Sequence, residues 1–359
     1  MVQNKRLIFK QVPEGYPVAG KDLVIETNDF DLEQAPPSGG VTTKNLYTSF
    51  DPYQRGRMRS AERKSYTPPY TLNEPVANNT VAKVIKSDNE KFKTGDLVVG
   101  MINNEEYSAV PKFFADNMLN KINNEYNLDL PIFLSAMGMP GLTAYSSFYD
   151  IGKPKKGETI FISSAAGAVG QIVGQLAKHE GLKVIGSVGS DEKLDYLVKE
   201  LNFDGGFNYK KEKPGEALAR LAPDGIDIYY ENVGGEQLEA ALNNFNMHGR
   251  AIVCGMISDY NKPDAEKYGV KNLFQIVAKR LTLRGFIVGD KDMGPVYFEE
   301  RNKNIAKWLS DGTFKTKLSV TEGIDNAPEG FVGMLQGKNF GKAVLKIADE
   351  EVCASSSHP

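Results

Sequence analysis

The chain has 359 residues, room for about two domains and a sizeable core. Its 41% hydrophobic and 25% charged content is that of a water-soluble globular protein, and a net charge of −3 gives no basic field for nucleic acid. No apolar run approaches the ~20 residues that cross a bilayer, and the opening MVQNKRLIFKQV shows neither the apolar core nor the cleavage site of a secretory signal.

Residues 1–130 lack any strand–helix rhythm. Short apolar runs at 22–26, 81–86 and 97–99 are broken by turn signals at 36–40 (PPSGG) and 93–96 (KTGD), the pattern of a mostly β domain. The next segment, TIFISSAAGAVG at 159–170, has a different character. Its apolar β-branched run gives way to small residues and resumes with helical spacing at Val169, Ile172, Val173, Leu176 and Ala177. Strand, tight turn and helix in that order open a dinucleotide-binding fold, and Ala165, Gly167 and Gly170 form an AxGxxG variant of its glycine fingerprint. The turn 166–170 (Ala166, Gly167, Ala168, Val169, Gly170) would set a pyrophosphate over the free N–H groups of the helix. Alone the signal is weak, because small-residue turns also join strands to helices for packing reasons.

A regular alternation follows it. Strands are expected at 183–187, 207–209, 226–231, 250–255 and 282–288, with helices at 191–200, 214–221, 237–242 and 273–280. Together with 159–162 this makes six strands in a doubly wound parallel sheet, α/β in class, with cofactor at the carboxyl ends of the strands. An NAD enzyme usually ends its second strand with an acid that holds the adenosine ribose; here Ser187 stands there. Asp191 arrives late and suits the first turn of a helix. Lys193 can welcome a 2′-phosphate, though taken alone it reads more readily as a solvated helix lysine.

The blocks SSAAGAVGQIVGQLAK (163–178), VIGSVGSDEK, FNYK, YYENVGG, CGMISDYN, LRGFIV and NFGKAVLK (339–346) carry a resemblance, as do DPYQRGRM (51–58) and GMPGLTAY (138–145). Each is modest, but their joint order across nearly the whole chain is specific. The sequence resembles the zinc-independent medium-chain dehydrogenase/reductases, within them the prostaglandin reductase, plant double-bond reductase and curcumin reductase group. The resemblance implies a GroES-like catalytic domain from 1–130 and 313–359, including a strand at 341–347, around a Rossmann NADPH-binding domain at 131–312. It also implies a homodimer paired through the 282–288 strand. The tail 354–359 is expected to be disordered.

Metal chemistry is not expected. The three histidines, His179, His248 and His358, have no cysteine spacing that makes a zinc site, and Cys254 and Cys353 suggest neither ligands nor a disulfide. A reducing cytosol is the expected compartment. Without a Lewis acid, hydride can still add to a C=C bond conjugated to a carbonyl, provided oriented donors stabilise the enolate oxygen.

In the group it resembles, the tyrosine matching Tyr260 is assigned to the enolate and its protonation; the alternative is a loop tyrosine capping apolar surface. Tyr53 matches a pocket-lining tyrosine, and Asp51 and Arg55 can pair to buttress its loop. Lys193 and Tyr209 are implied to hold the 2′-phosphate and Asn232 the ribose and pyrophosphate. Cys254, Gly255, Phe286, Ile287 and Val288 are implied at the cofactor, the last three beside the nicotinamide, with Asn339 reaching back and Met139 and Thr143 at the domain junction. Phe286 and Val288 could instead be core residues, Cys254 could simply pack, and Lys342 reads as a solvated strand lysine. The expected activity is NADPH-dependent reduction of enones or enals. A quinone reductase and a non-enzymatic NADPH-binding protein are the rivals.

Overall fold

A computed structural model describes residues 1–350. The expectations for Cys353, His358 and the tail 354–359 lie outside the described residues. Six parallel strands line up in the order Gly205–Asn208, Lys183–Val188, Thr159–Ile162, Ile226–Glu231, Phe245–Val253 and Thr282–Gly285. Thr159–Ile162 is central because Ile160, Phe161 and Ile162 are fully buried and face helices on both sides of the sheet. The helix Gly170–His179 packs Ile172, Val173, Leu176 and Ala177 into one of these cores. On the other face Phe161 stacks on Tyr229 at 5.0 Å, among Leu218 and Leu242.

The second unit is rich in antiparallel pairing. Its large sheet runs Leu318–Glu322, Lys342–Lys346, Val41–Ser49, Ala77–Ser87, Leu97–Asn103 and Leu119–Lys121. The chain therefore returns after the parallel sheet to complete the first one: Val344 to Lys346 pair with Tyr47 to Ser49.

Several elements differ from the sequence reading. The outer strand ends at Gly285, which leaves Phe286, Ile287 and Val288 in the following turn, where Asp290 N–H donates to Ile287 and Gly294 N–H to Val288. Strand Phe245–Val253 begins earlier than expected and stops short of Cys254 and Gly255. A helix over Gly294–Ser310 went unread because its buried face contains Arg301 and Gly294 as well as Ile305 and Ala306, which blunts the apolar stripe.

Candidate active site

The carboxyl edge of the parallel sheet carries the glycine turn. Ser164 takes a left-handed φ of 51°, and Gly167 N–H closes onto its carbonyl at 2.9 Å. A Cβ on Gly170 would lie 2.5 Å from the Ser164 carbonyl oxygen and 2.8 Å from Ala165 Cα, so only glycine lets the helix start this close to the strand. Gly167, Ala168 and Val169 are partly exposed there, whereas Ala166 is buried. The Ala166 carbonyl accepts from Gly341 N–H at 3.1 Å, and Asn339 donates its amide to the Gly341 carbonyl at 2.7 Å. The returning chain thus lies directly against the turn.

At the next strand end Ser187 is fully buried and donates its hydroxyl to Gln237 Oε1 at 2.6 Å. Asp191 opens the following helix and is engaged by Asn208 Nδ2 at 2.9 Å and by Lys211. Lys193 is partly buried and donates to the Gly337 carbonyl at 2.9 Å; burial, then the positive charge of Lys210, lowers its pKa. Tyr209 lies beside Gly189, where a Cβ would come within 3.0 Å of its hydroxyl. Two mutually repelling cations and a phenol, with the nearby Asp191 turned to Lys211, suit a phosphate better than a bare ribose.

Glu231 ends the strand Ile226–Glu231, and sequence reasoning missed its role. Its Oε1 accepts from Tyr229 at 2.8 Å and from the N–H groups of Val233 and Gly234 at 2.7 Å each, while burial pushes its carboxyl pKa up. The acid closing an otherwise apolar run, IDIYYE, was the available signal. Its backbone carbonyl accepts from Cys254 and Gly255, and Asn232 is bound to Ser163 through both its N–H and its amide. The Cys254 thiol is pushed up to about 12 by burial, next to Tyr230. Tyr230 shares a 2.8 Å hydrogen bond with Ser147, which joins this strand end to the helix Met139–Ser147. On that helix the Thr143 hydroxyl donates to Met139 Sδ at 3.4 Å.

Tyr260 lies against this edge, beside Gly255. Tyr260 follows the short turn Ile257–Asp259, and its hydroxyl lies 3.1 Å from where a Gly255 Cβ would sit. Burial, with Tyr66 and Cys254 nearby, pushes its pKa up to about 12. The phenol is therefore neutral at ordinary pH and keeps a proton to donate. Tyr66 comes from the loop after the helix Gln54–Arg57 and was not identified from sequence.

Tyr53 precedes that helix and donates to Asn78 Oδ1 at 2.6 Å; burial raises its pKa strongly. Arg55 does not pair with Asp51, as the sequence had suggested. Its guanidinium grips the Gly15 carbonyl at 2.7 Å and Asn261 Oδ1 at 2.9 Å, tying the Tyr53 helix to the residue after Tyr260. Asp51 pairs instead with Lys342 at 2.9 Å. Lys342 is therefore not a solvated strand lysine: it is 1% exposed and also donates to the Phe50 carbonyl at 2.5 Å.

Among the described residues no three His, Cys, Asp or Glu side chains group as metal ligands, so these residues do not fit zinc. No helix of the described residues is long and apolar enough to cross a membrane.

Residues 5–118 match the family described as "N-terminal domain of oxidoreductase" and residues 168–305 that described as "Zinc-binding dehydrogenase". An NADP-dependent oxidoreductase of Cochliobolus heterostrophus is 54% identical over 97% of this chain and 99% of its own. The 2-alkenal reductase (NADP(+)-dependent) of Nicotiana tabacum is 43% identical over 97% and 99%. The crystal structure of CurA from Vibrio vulnificus in complex with NADPH superposes with a TM-score of 0.87 at 32% identity, covering 96% of this chain and all (100%) of that one. With this similarity spanning both halves of the fold, the chain belongs to the zinc-independent medium-chain dehydrogenase/reductases, in the prostaglandin reductase, plant double-bond reductase and curcumin reductase group.

Proposed function

We propose that this protein is an NADPH-dependent reductase of the C=C bond of α,β-unsaturated ketones and aldehydes. The observation that carries the reading is Tyr260: a neutral phenol at the carboxyl edge of the sheet, with its proton free to donate. NADPH when bound supplies the hydride, which goes to the β-carbon. On this reading the turn 166–170 and Asn232 hold the pyrophosphate, while Lys193 and Tyr209 hold the 2′-phosphate. Cys254, Gly255, Asn339, Met139, Thr143 and the turn 286–288 surround the rest of the cofactor.

Tyr260 hydrogen-bonds the carbonyl oxygen as negative charge develops on it, an interaction stronger in the transition state than in the ground state. The proton reaches the α-carbon afterwards. Tyr53, whose proton is engaged by Asn78, contacts substrate and does not protonate it. The experiment is NADPH oxidation across a panel of enals, enones and quinones. Turnover confined to quinones would move the protein to the quinone reductases, and no turnover at all would favour a binding protein.

The reading includes a homodimer. Strand Thr282–Gly285 is paired on one side only, and Phe274, Val277 and Met247 nearby are 75%, 68% and 58% exposed. An open strand edge with apolar neighbours suits a second copy across a two-fold axis. Light scattering at micromolar concentration should give the dimer mass; a monomer mass contradicts it.

A further inference from the structure

A buried charge sits where the two units meet, and the mechanism above does not use it. Lys342 follows Gly341, whose N–H donates to the Ala166 carbonyl of the glycine turn. Its ammonium donates to Asp51 Oδ1 at 2.9 Å and the Phe50 carbonyl at 2.5 Å. The other carboxylate oxygen, Asp51 Oδ2, accepts from Ser49 at 2.5 Å and from Asn78 Nδ2 at 2.8 Å. Asn78 Nδ2 also faces two further acceptors, the Ser49 carbonyl at 2.8 Å and Gln54 Oε1 at 2.9 Å.

An amide nitrogen can only donate, and three acceptors surround this one. The Asn78 side chain therefore cannot be flipped, and its Oδ1 must face Tyr53. Tyr53, 2.6 Å from that oxygen, must donate its proton to it. This chain of bonds uses Asp51 as an acceptor at both oxygens, with the buried Lys342 ammonium donating to one of them.

We propose that Lys342 is a positioning residue for the reaction: through Asp51 and Asn78 it fixes Tyr53 as a donor to the protein, so that Tyr53 offers an acceptor lone pair to a hydroxyl group carried by the enone, whose carbonyl can itself only accept. This rests on the reading of Tyr53 as a substrate contact. The two tyrosines then have different tasks: Tyr260 is a neutral phenol that keeps a proton to give, whereas Tyr53 has given its proton to Asn78.

The test is a double-mutant cycle of Lys342→Met and Tyr53→Phe, read as KM for one good enone that bears a hydroxyl group, kcat and NADPH affinity. Loss of one neutral hydrogen bond corresponds to about a twofold to tenfold change. Tyr53→Phe should raise KM by about that factor, and Lys342→Met should do likewise, with kcat and NADPH affinity within about twofold. In the Tyr53→Phe background Lys342→Met should raise KM by less than about twofold, because the group it orients is gone. Full additivity, or a loss spread over kcat and NADPH affinity, overturns the inference and leaves the reading of Tyr53 intact. An unchanged KM in Tyr53→Phe alone overturns that reading and the inference with it. If Lys342→Met does not fold, Asn78→Ser replaces it in the same cycle, since it cuts the link to Tyr53 with Lys342 and Asp51 in place, and the same non-additivity is expected.

Discussion

At the carboxyl ends of the parallel strands, the chain is joined mainly through backbone groups and small residues: the 163–170 turn, the N–H groups of Val233 and Gly234, and Gly255 beside Tyr260. In the antiparallel-rich unit, buried polar side chains do the joining, with Asp51, Asn78 and Lys342 linked to Tyr53. The first part leaves no room for added carbon at Gly170, and the second is sensitive to lost charge. One part is shaped for close approach to a ligand, the other for aiming a hydroxyl.

The sharpest way to break this contrast is stability. Lys342→Met leaves the Asp51 carboxylate buried without its cation, which should cost about 3–5 kcal/mol in urea unfolding. Gly170→Ala pushes a methyl onto the Ser164 carbonyl and should cost less, about 1–3 kcal/mol, but with NADPH affinity falling at the same time. If Gly170→Ala keeps full NADPH affinity, the glycine turn is a packing device only.

Next in size is the phosphate contact. Lys193→Ala should weaken NADPH binding about 10–150-fold, the range of a charge-assisted hydrogen bond of roughly 1.5–3 kcal/mol. NADH binding should hardly move. The Gly337 carbonyl that Lys193 touches belongs to the antiparallel-rich unit, so a loss of both cofactors alike would recast Lys193 as a clamp between the units.

Tyr260→Phe should lower kcat about tenfold to a hundredfold with NADPH affinity unchanged, somewhat less than removal of a full oxyanion donor. The active form is the neutral phenol, and burial moves its ionisation up to about 12. Activity governed by Tyr260 should therefore show no basic limb up to about pH 10, where an unperturbed tyrosine would already be half ionised. A loss of activity centred near pH 9 that disappears in Tyr260→Phe would show the phenol to be unburied and acidic.

The two parts were also unequally legible in the sequence. The glycine turn was readable because strand, turn and helix occupy one continuous run, and the alternation after it repeats at short range. The ion pair under Tyr53 was not, since Asp51 and Lys342 lie 291 residues apart and each alone looks like a surface charge. The same reason misplaced Arg55, whose partners are Gly15 and Asn261 and not its near neighbour Asp51. The apolar run Phe286-Ile287-Val288 has strand propensity, yet the neighbouring strand that could pair with it ends at Val253, opposite Gly285. Local pattern cannot announce where a partner strand stops.

The central claim, hydride to the β-carbon and not to the carbonyl carbon, is tested most directly by isotope placement. One enone is reduced with NADPH deuterated at the transferred 4-position, in ordinary water, and again with unlabelled NADPH in heavy water, and the products are read by NMR. The account predicts cofactor deuterium at the β-carbon in the first product and solvent deuterium at the α-carbon in the second, with the carbonyl intact in both. Cofactor deuterium on the former carbonyl carbon, in an alcohol product, would contradict it.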